Sequence, residues 1–132
     1  MPNKILLVDD EADFREEFKD YFRSYDIVEA GTGEAAIAIL KRPNEIDLVV
    51  LDVRMPGIQG TEALVEMKKM TPGLPIIILT GNSSEDVAIE AIKGHADDYL
   101  QKPVDLPTIK ESIERLLEAK ASTAPGYSDD KI

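Results

Sequence analysis

Five short apolar runs, each followed by a stretch of helical spacing, constrain this chain more than any other feature. Lys4-Ile5-Leu6-Leu7-Val8, Asp26 to Ala30, Leu48-Val49-Val50-Leu51, Pro75-Ile76-Ile77-Ile78-Leu79 and Asp98-Tyr99-Leu100 read as strands. The first, third and fourth are continuous apolar runs, as in strands buried on both faces. Between them lie helical patterns. Phe14, Phe18, Tyr21, Phe22 and Tyr25 define one apolar helical face, expected in the core. Glu34 to about Arg42 is rich in Ala, Ile and Leu, and Pro43-Asn44 ends it. Thr61 is placed to cap a third helix carrying Leu64, Val65 and Met67, stopped by Thr71-Pro72-Gly73. Ser83 and Asp86 have capping-box spacing for a fourth, ended by Lys93-Gly94-His95. Asp105 is placed to cap a fifth with the stripe Leu106, Ile109, Ile113, Leu116 and Leu117.

Strict βα alternation requires a parallel sheet, right-handed crossovers and helices on both faces. The expected fold is a flavodoxin-like (βα)5 three-layer sandwich with a five-stranded parallel sheet in order 2-1-3-4-5. In that order strands 1 and 3 are neighbours at the switch point, where such sheets bind ligands beyond the strands' carboxyl ends. Asp9 and Asp10 follow strand 1, and Asp52 closes strand 3 ahead of the turn signal Met55-Pro56-Gly57. Thr80 and Lys102, at the ends of strands 4 and 5, line the same edge.

Three converging carboxylates repel one another, which raises their pKa values unless a cation compensates. A hard divalent ion with oxygen ligands, Mg²⁺ or Mn²⁺, suits them. One carboxylate then remains available to attack phosphorus. Lys102 supplies a fixed positive charge and Thr80 a hydroxyl donor, and the loop after Asp52 offers a backbone carbonyl and N–H groups. Taken singly, each has an ordinary structural reading: Asp9-Asp10 as helix caps, Asp52 as a turn aspartate, Thr80 as a strand-end hydroxyl, Lys102 as a surface lysine. Their joint placement at the ends of successive strands favours chemistry.

Other classes fall away on composition. The chain has 132 residues and 43% hydrophobic content, enough for one domain with a sizeable core. It has no cysteine, which removes disulfides, thiolate metal sites and a cysteine nucleophile. A net charge of −11 repels a nucleic acid backbone or an anionic membrane. No apolar run approaches the roughly 20 residues of a membrane span, and the acidic start does not resemble a signal peptide. A cytoplasmic location is expected. Neither G-x-G-x-x-G nor G-x-x-x-x-G-K-[ST] occurs, which ranks nucleotide or flavin binding low.

Four motifs in order carry a resemblance: Leu7-Val8-Asp9-Asp10-Glu11, Leu51-Asp52-Val53-Arg54-Met55-Pro56-Gly57, Leu79-Thr80-Gly81 and Asp98-Tyr99-Leu100-Gln101-Lys102-Pro103. From about residue 4 to 119 the chain resembles the response-regulator receiver family, the CheY-like domain of two-component signalling. The resemblance implies that Asp52 is the phosphoacceptor, charged by a sensor histidine kinase or phosphotransfer domain. It implies Asp10, Asp52 and the backbone carbonyl of Arg54 as direct Mg²⁺ ligands, and Asp9 as a ligand through water. Lys102 becomes the phosphate-binding lysine, and Thr80 with Tyr99 the switch pair that shifts the surface of the fourth helix, fifth strand and fifth helix. Arg54 and Asn82 occupy positions that tune phosphate lifetime. Such a domain is not an enzyme beyond its own phosphoryl transfer and autodephosphorylation.

Two departures from the family pattern stand out. His95 takes a place usually held by glycine, with Gly94 before it, so an altered loop is expected ahead of strand 5. Val104 replaces a common phenylalanine. The expected boundaries are a receiver at 1–120 and a linker or tail at 121–132, where Ser128 or Asp129 is placed to cap a further helix leading to an output domain. Phosphorylation-dependent dimerisation is a further expectation. Two rivals remain. A haloacid-dehalogenase-like phosphatase would want a second acid two residues after its aspartate nucleophile, where this chain has Arg54. A docking module independent of phosphorylation would not need Asp9, Asp10, Asp52, Thr80 and Lys102 together.

Overall fold

The computed structural model describes residues 3–52, 60–80 and 96–122. Its elements are β1 (Lys4–Val8), α1 (Ala12–Tyr21), β2 (Asp26–Ala30), α2 (Gly33–Lys41), β3 (Leu48–Asp52), α3 (Gly60–Met70), β4 (Ile76–Thr80), β5 (Asp98–Gln101) and α4 (Leu106–Ser122). The expected helix over 83–93, with its Ser83 and Asp86 cap, lies outside the described residues. So do Arg54, Asn82, Gly94, His95 and the residues from 123 onward.

All strands are parallel and run in the order β2-β1-β3-β4-β5. The flavodoxin-like arrangement is therefore present. Register sets Val8 beside Leu51 and Ala30, Asp52 beside Leu79, and Thr80 beside Gln101.

Strand alternation sorts the core into two layers. Leu6, Val8, Val49, Leu51, Ile76 and Ile78 pack against Ala36 and Leu40 of α2 and Ala63, Leu64 and Met67 of α3. Ile5, Leu7, Leu48, Val50, Ile77 and Leu79 pack against Phe18 and Phe22 and against Ile109 and Ile113 of α4. Both faces of β1, β3 and β4 are covered, which is why those strands read as continuous apolar runs.

Local signals mostly act where the sequence puts them. Thr32 caps α2 through a hydrogen bond to its hydroxyl from Ala35 N–H, at 3.0 Å. Asp105 caps α4 by accepting from Thr108 N–H at 2.9 Å. Asn44 donates to the Leu40 and Arg42 carbonyls and accepts from Ile46 N–H, closing the exit from α2.

Some expectations need correction. Thr61 lies inside α3 rather than ahead of it, since the helix already includes Gly60. The aromatic stripe is not one helical face. α1 ends at Tyr21, and Phe22 leaves helical geometry at φ −101°, ψ 39° while its N–H still reaches the Phe18 carbonyl. Phe18 and Phe22 are buried with ring centroids 4.3 Å apart, but Tyr21 stands at the margin and is 43% exposed. Val65 is likewise exposed, on the outer side of α3. α4 runs from Leu106 through Ser122.

Candidate functional site

The sheet's carboxyl edge is where the chain spends its buried polar groups. Apart from Ser112, every buried polar or charged side chain among the described residues is here: Asp9, Asp52 and Thr80. Asp9 follows β1, whose core-facing residues Ile5 and Leu7 share its parity. Asp52 continues Leu48 and Val50 in the same way. Adjacent pairing of β1 and β3 then brings the two acids to the same side of neighbouring strand ends.

Carboxylate oxygens of Asp9, Asp10 and Asp52 all lie within 4.8 Å of one another, with Asp10 exposed and the other two buried. Lys102 Nζ stands 3.3 Å from Asp52 Oδ2 and 3.6 Å from Asp9 Oδ2. Its backbone N–H donates to the Thr80 carbonyl at 2.7 Å, which pins the lysine to the end of β4. The ammonium also lies over the Phe14 ring, 5.6 Å from its centroid. Asp10, Glu11, Phe14, Asp52, Lys102, Pro103 and Val104 line an open cleft of about 640 Å³.

Asp9 divides its two oxygens. Oδ1 accepts from Glu11 N–H at 2.8 Å and so shapes the turn into α1. Oδ2 is buried and, among the described residues, accepts no hydrogen bond. Lys102 faces it as an ion-pair partner, and Asp10 and Asp52 stand nearby. Burial pushes the Asp9 carboxyl up, the Glu11 N–H pulls it down, Asp52 pushes it up again and Lys102 pulls it down, leaving it raised to about 6. Lys102 is held above its ordinary value: burial alone would lower it, and the charges of Asp52 and Asp9 outweigh that. An orphaned buried oxygen beside two more carboxylates is the donor set a hard divalent cation takes, so these residues fit one.

Asp9 and Asp10 do not cap α1. The N-cap position belongs to Glu11, and its side chain makes no capping bond. Thr80 closes β4, and Tyr99 is half-buried against the α2–α3 side of the core, with Ile78 as its partner across the β4–β5 ladder.

The family model described as "Response regulator receiver domain" matches residues 5–114. The chain belongs to the response regulator receiver family. Among curated relatives, it is 38% identical over 115 residues to the transcriptional regulatory protein ZraR of Salmonella typhimurium, covering 86% of this chain and 26% of ZraR. It is 36% identical over the same length to the response regulator SaeR of Staphylococcus aureus, covering 50% of SaeR. This receiver chain thus spans about a quarter to a half of the length of those relatives. Among solved structures, it is similar to a CheY-like receiver domain from Methanospirillum hungatei, with TM-score 0.85 and 27% identity over 94% of this chain and all of that one. A receiver domain from Clostridium thermocellum gives TM-score 0.84 and 33% identity over 92% and 99% of the two chains. Receiver domains are signalling modules of two-component systems.

The structure thus brings Asp9, Asp10, Asp52 and Lys102 together and ties Lys102 to Thr80 at the end of β4. It also adds groups that motif reading passed over. Phe14 forms a wall of the cleft, although its spacing marked only a core position. Arg15 Nη1 donates to the Asp9 carbonyl at 2.6 Å. The one available signal for Arg15 was a cation one helical turn beyond the acidic turn.

Proposed function

We propose that this receiver accepts a phosphoryl group on Asp52 and uses it as a reversible switch. The observation that carries the proposal is the lysine–carboxylate geometry: Lys102 Nζ at 3.3 Å from a buried Asp52, with two further carboxylates within 4.8 Å. An Asp52 oxygen attacks phosphorus. The bond from phosphorus to the donor's imidazole nitrogen breaks, and the imidazole takes up a proton. Lys102, paired first with the Asp52 carboxylate, is in place for the charge on the transferred phosphoryl oxygens. Asp10, Asp52 and the carbonyl of Arg54, with Asp9 acting through water, would hold Mg²⁺ or Mn²⁺, which when bound offsets negative charge at phosphorus. The raised Asp9 carboxyl and its orphaned oxygen support that assignment.

In this reading the donor is a sensor histidine kinase or phosphotransfer domain, in the cytoplasm. Thr80 and Tyr99 relay the phosphorylated state to a surface that includes β5 and α4. The receiver extends over 1–120 and its tail leads to an output domain, as the greater length of ZraR and SaeR suggests. Arg54 and Asn82 adjust how long the phosphoryl group survives.

Intact-protein mass after incubation with acetyl phosphate tests the chemistry. One added phosphoryl group is expected, requiring both Mg²⁺ and Asp52 and absent from Asp52→Asn. A folded protein that binds Mg²⁺ yet takes up no phosphoryl group would defeat the proposal and leave a docking module. Catalytic turnover of a phosphate monoester would instead favour the phosphatase reading.

A further inference from the structure

We infer that Arg15 and Glu29 form a brace that positions the acidic turn for cation binding, making both of them positioning residues of the site. The inference rests on the proposed cation site and assigns it a support outside the acid cluster.

Three elements meet at this brace. Arg15, on the first turns of α1, donates through Nη1 to the Asp9 carbonyl at 2.6 Å and through Nε to Glu29 Oε1 at 3.0 Å. Glu29 belongs to β2, and its other oxygen pairs with Lys19 Nζ at 2.8 Å. Asp9 is tied back to the same strand, its N–H donating to the Ala30 carbonyl at 3.0 Å. Both backbone polar groups of Asp9 are thus fixed to β2, one directly and one through the guanidinium. The Asp9 side chain is fixed by Glu11 N–H. The main chain of the turn has little freedom left, and its remaining side-chain oxygen is the orphaned Oδ2.

The guanidinium suits this task. Its planar fork offers a donor to each of two acceptors at a set angle, whereas a lysine's donors rotate on one nitrogen and fix no such angle. Glu29 is held in its ionised form by Lys19 and Arg15 and sits below the ordinary carboxylate range. Arg15 is half-buried, and its bond to the Asp9 carbonyl is better covered than its bond to Glu29, which lies at the surface. Partners that orient a ligand without touching the metal commonly govern affinity by tenfold or more.

The sign of the effect separates positioning from simple electrostatics. Arg15 is a cation near a cation site. Removing its charge would tighten divalent binding if charge alone mattered. Removing a brace weakens it.

The test is Mg²⁺ titration by isothermal calorimetry on the wild-type chain, Arg15→Ala, Arg15→Lys, Glu29→Ala and Glu16→Gln, with the thermal transition of each metal-free protein recorded alongside. Arg15→Ala and Glu29→Ala are expected to weaken Mg²⁺ binding by about tenfold. Arg15→Lys should recover only part of the affinity. Glu16→Gln removes an acid that pairs with Lys19 at 3.2 Å but does not touch Arg15, and should bind as the wild type does. Should Arg15→Ala fail to fold, Arg15→Gln, which also removes the cation, carries the same test; Glu29→Ala alone does not, because losing an acid weakens cation binding on charge as well. Unchanged or tighter binding in the folded alanine variants would overturn the brace while leaving the cation site standing. A wild-type protein that takes up no Mg²⁺ would remove the cation site itself, and the brace with it.

Discussion

Asp9 makes the metal-free protein pay for its own site in a way that pH exposes. The carboxyl is fully buried and raised from 3.8 to about 6. A raised acid favours the folded state when protonated. Its contribution is fully present below about pH 4 and is lost as pH climbs through about 6. At about 1.36 kcal/mol per unit, the ionised side chain costs about 3 kcal/mol, of which about 2 kcal/mol develops between about pH 4.5 and 7.5. Other carboxylates, Asp98 and Glu29 among them, are shifted the opposite way and gain stability over part of that range. The difference between wild type and Asp9→Asn reports the Asp9 contribution together with its effect on Asp52 and Lys102. The assay is urea unfolding in the presence of a chelator at the two pH values. Wild-type stability relative to Asp9→Asn should fall by about 2 kcal/mol on going to the higher pH. Adding Mg²⁺ at the higher pH should restore wild type and leave Asp9→Asn much less changed. Parallel pH responses of the two proteins would refute the argument, because the cost would then not reside in the buried Asp9 charge.

Further perturbations probe the scaffold. Asp97 Oδ2 accepts from both Ile76 N–H and Lys68 Nζ, at 2.8 Å each, so Asp97→Ala should cost about 1–3 kcal/mol in chemical unfolding by leaving the start of β4 short of an acceptor. Asp98 is held below its ordinary range because Ser112, Arg115 and Tyr99 N–H outweigh its burial. Ser112→Ala should therefore cost about 1 kcal/mol near neutral pH, with the loss shrinking as pH falls through the carboxylate range and Asp98 protonates in both proteins. Phe18→Ala should cost about 3–5 kcal/mol, whereas Tyr21→Ala, at a half-open position, should cost well under half of that. Equal losses would contradict the placement of Tyr21 outside the core.

The layered fold was readable because each sheet face is covered. Continuous runs such as Leu48 to Leu51 have no other economical reading once helical stretches separate them. The site was readable for a related reason: Asp9, Asp52, Thr80 and Lys102 interrupt or terminate those runs, and a polar residue there stands out. Arg15, Glu29 and Phe14 do not stand out. Each lies within an amphipathic or edge element where its residue type is unremarkable, and its role arises only when α1 is laid against β2 and the β5 end. Tyr21 went astray for the converse reason. A spacing rule assumes that the helix continues, and the chain leaves helical geometry at Phe22.

Strand alternation also divides the candidate site in a way that bears on signalling. Asp9, Asp52 and Lys102 share parity with Leu7, Val50 and Leu100, all packed on the α1–α4 side. Thr80 shares parity with Ile76 and Ile78, and Tyr99 packs with those residues on the α2–α3 side. The proposed chemistry and the proposed relay therefore belong to opposite faces of one sheet. The two faces meet where the sheet stops, and Thr80 is the last residue of β4. One residue earlier in the strand, a hydroxyl of the same parity as Leu79 would lie on the side of the acids, away from Tyr99. One residue later it would leave the strand. The end of a strand is the position from which a small side chain can serve both faces, which gives the proposed relay role of Thr80 a geometric reason independent of its motif.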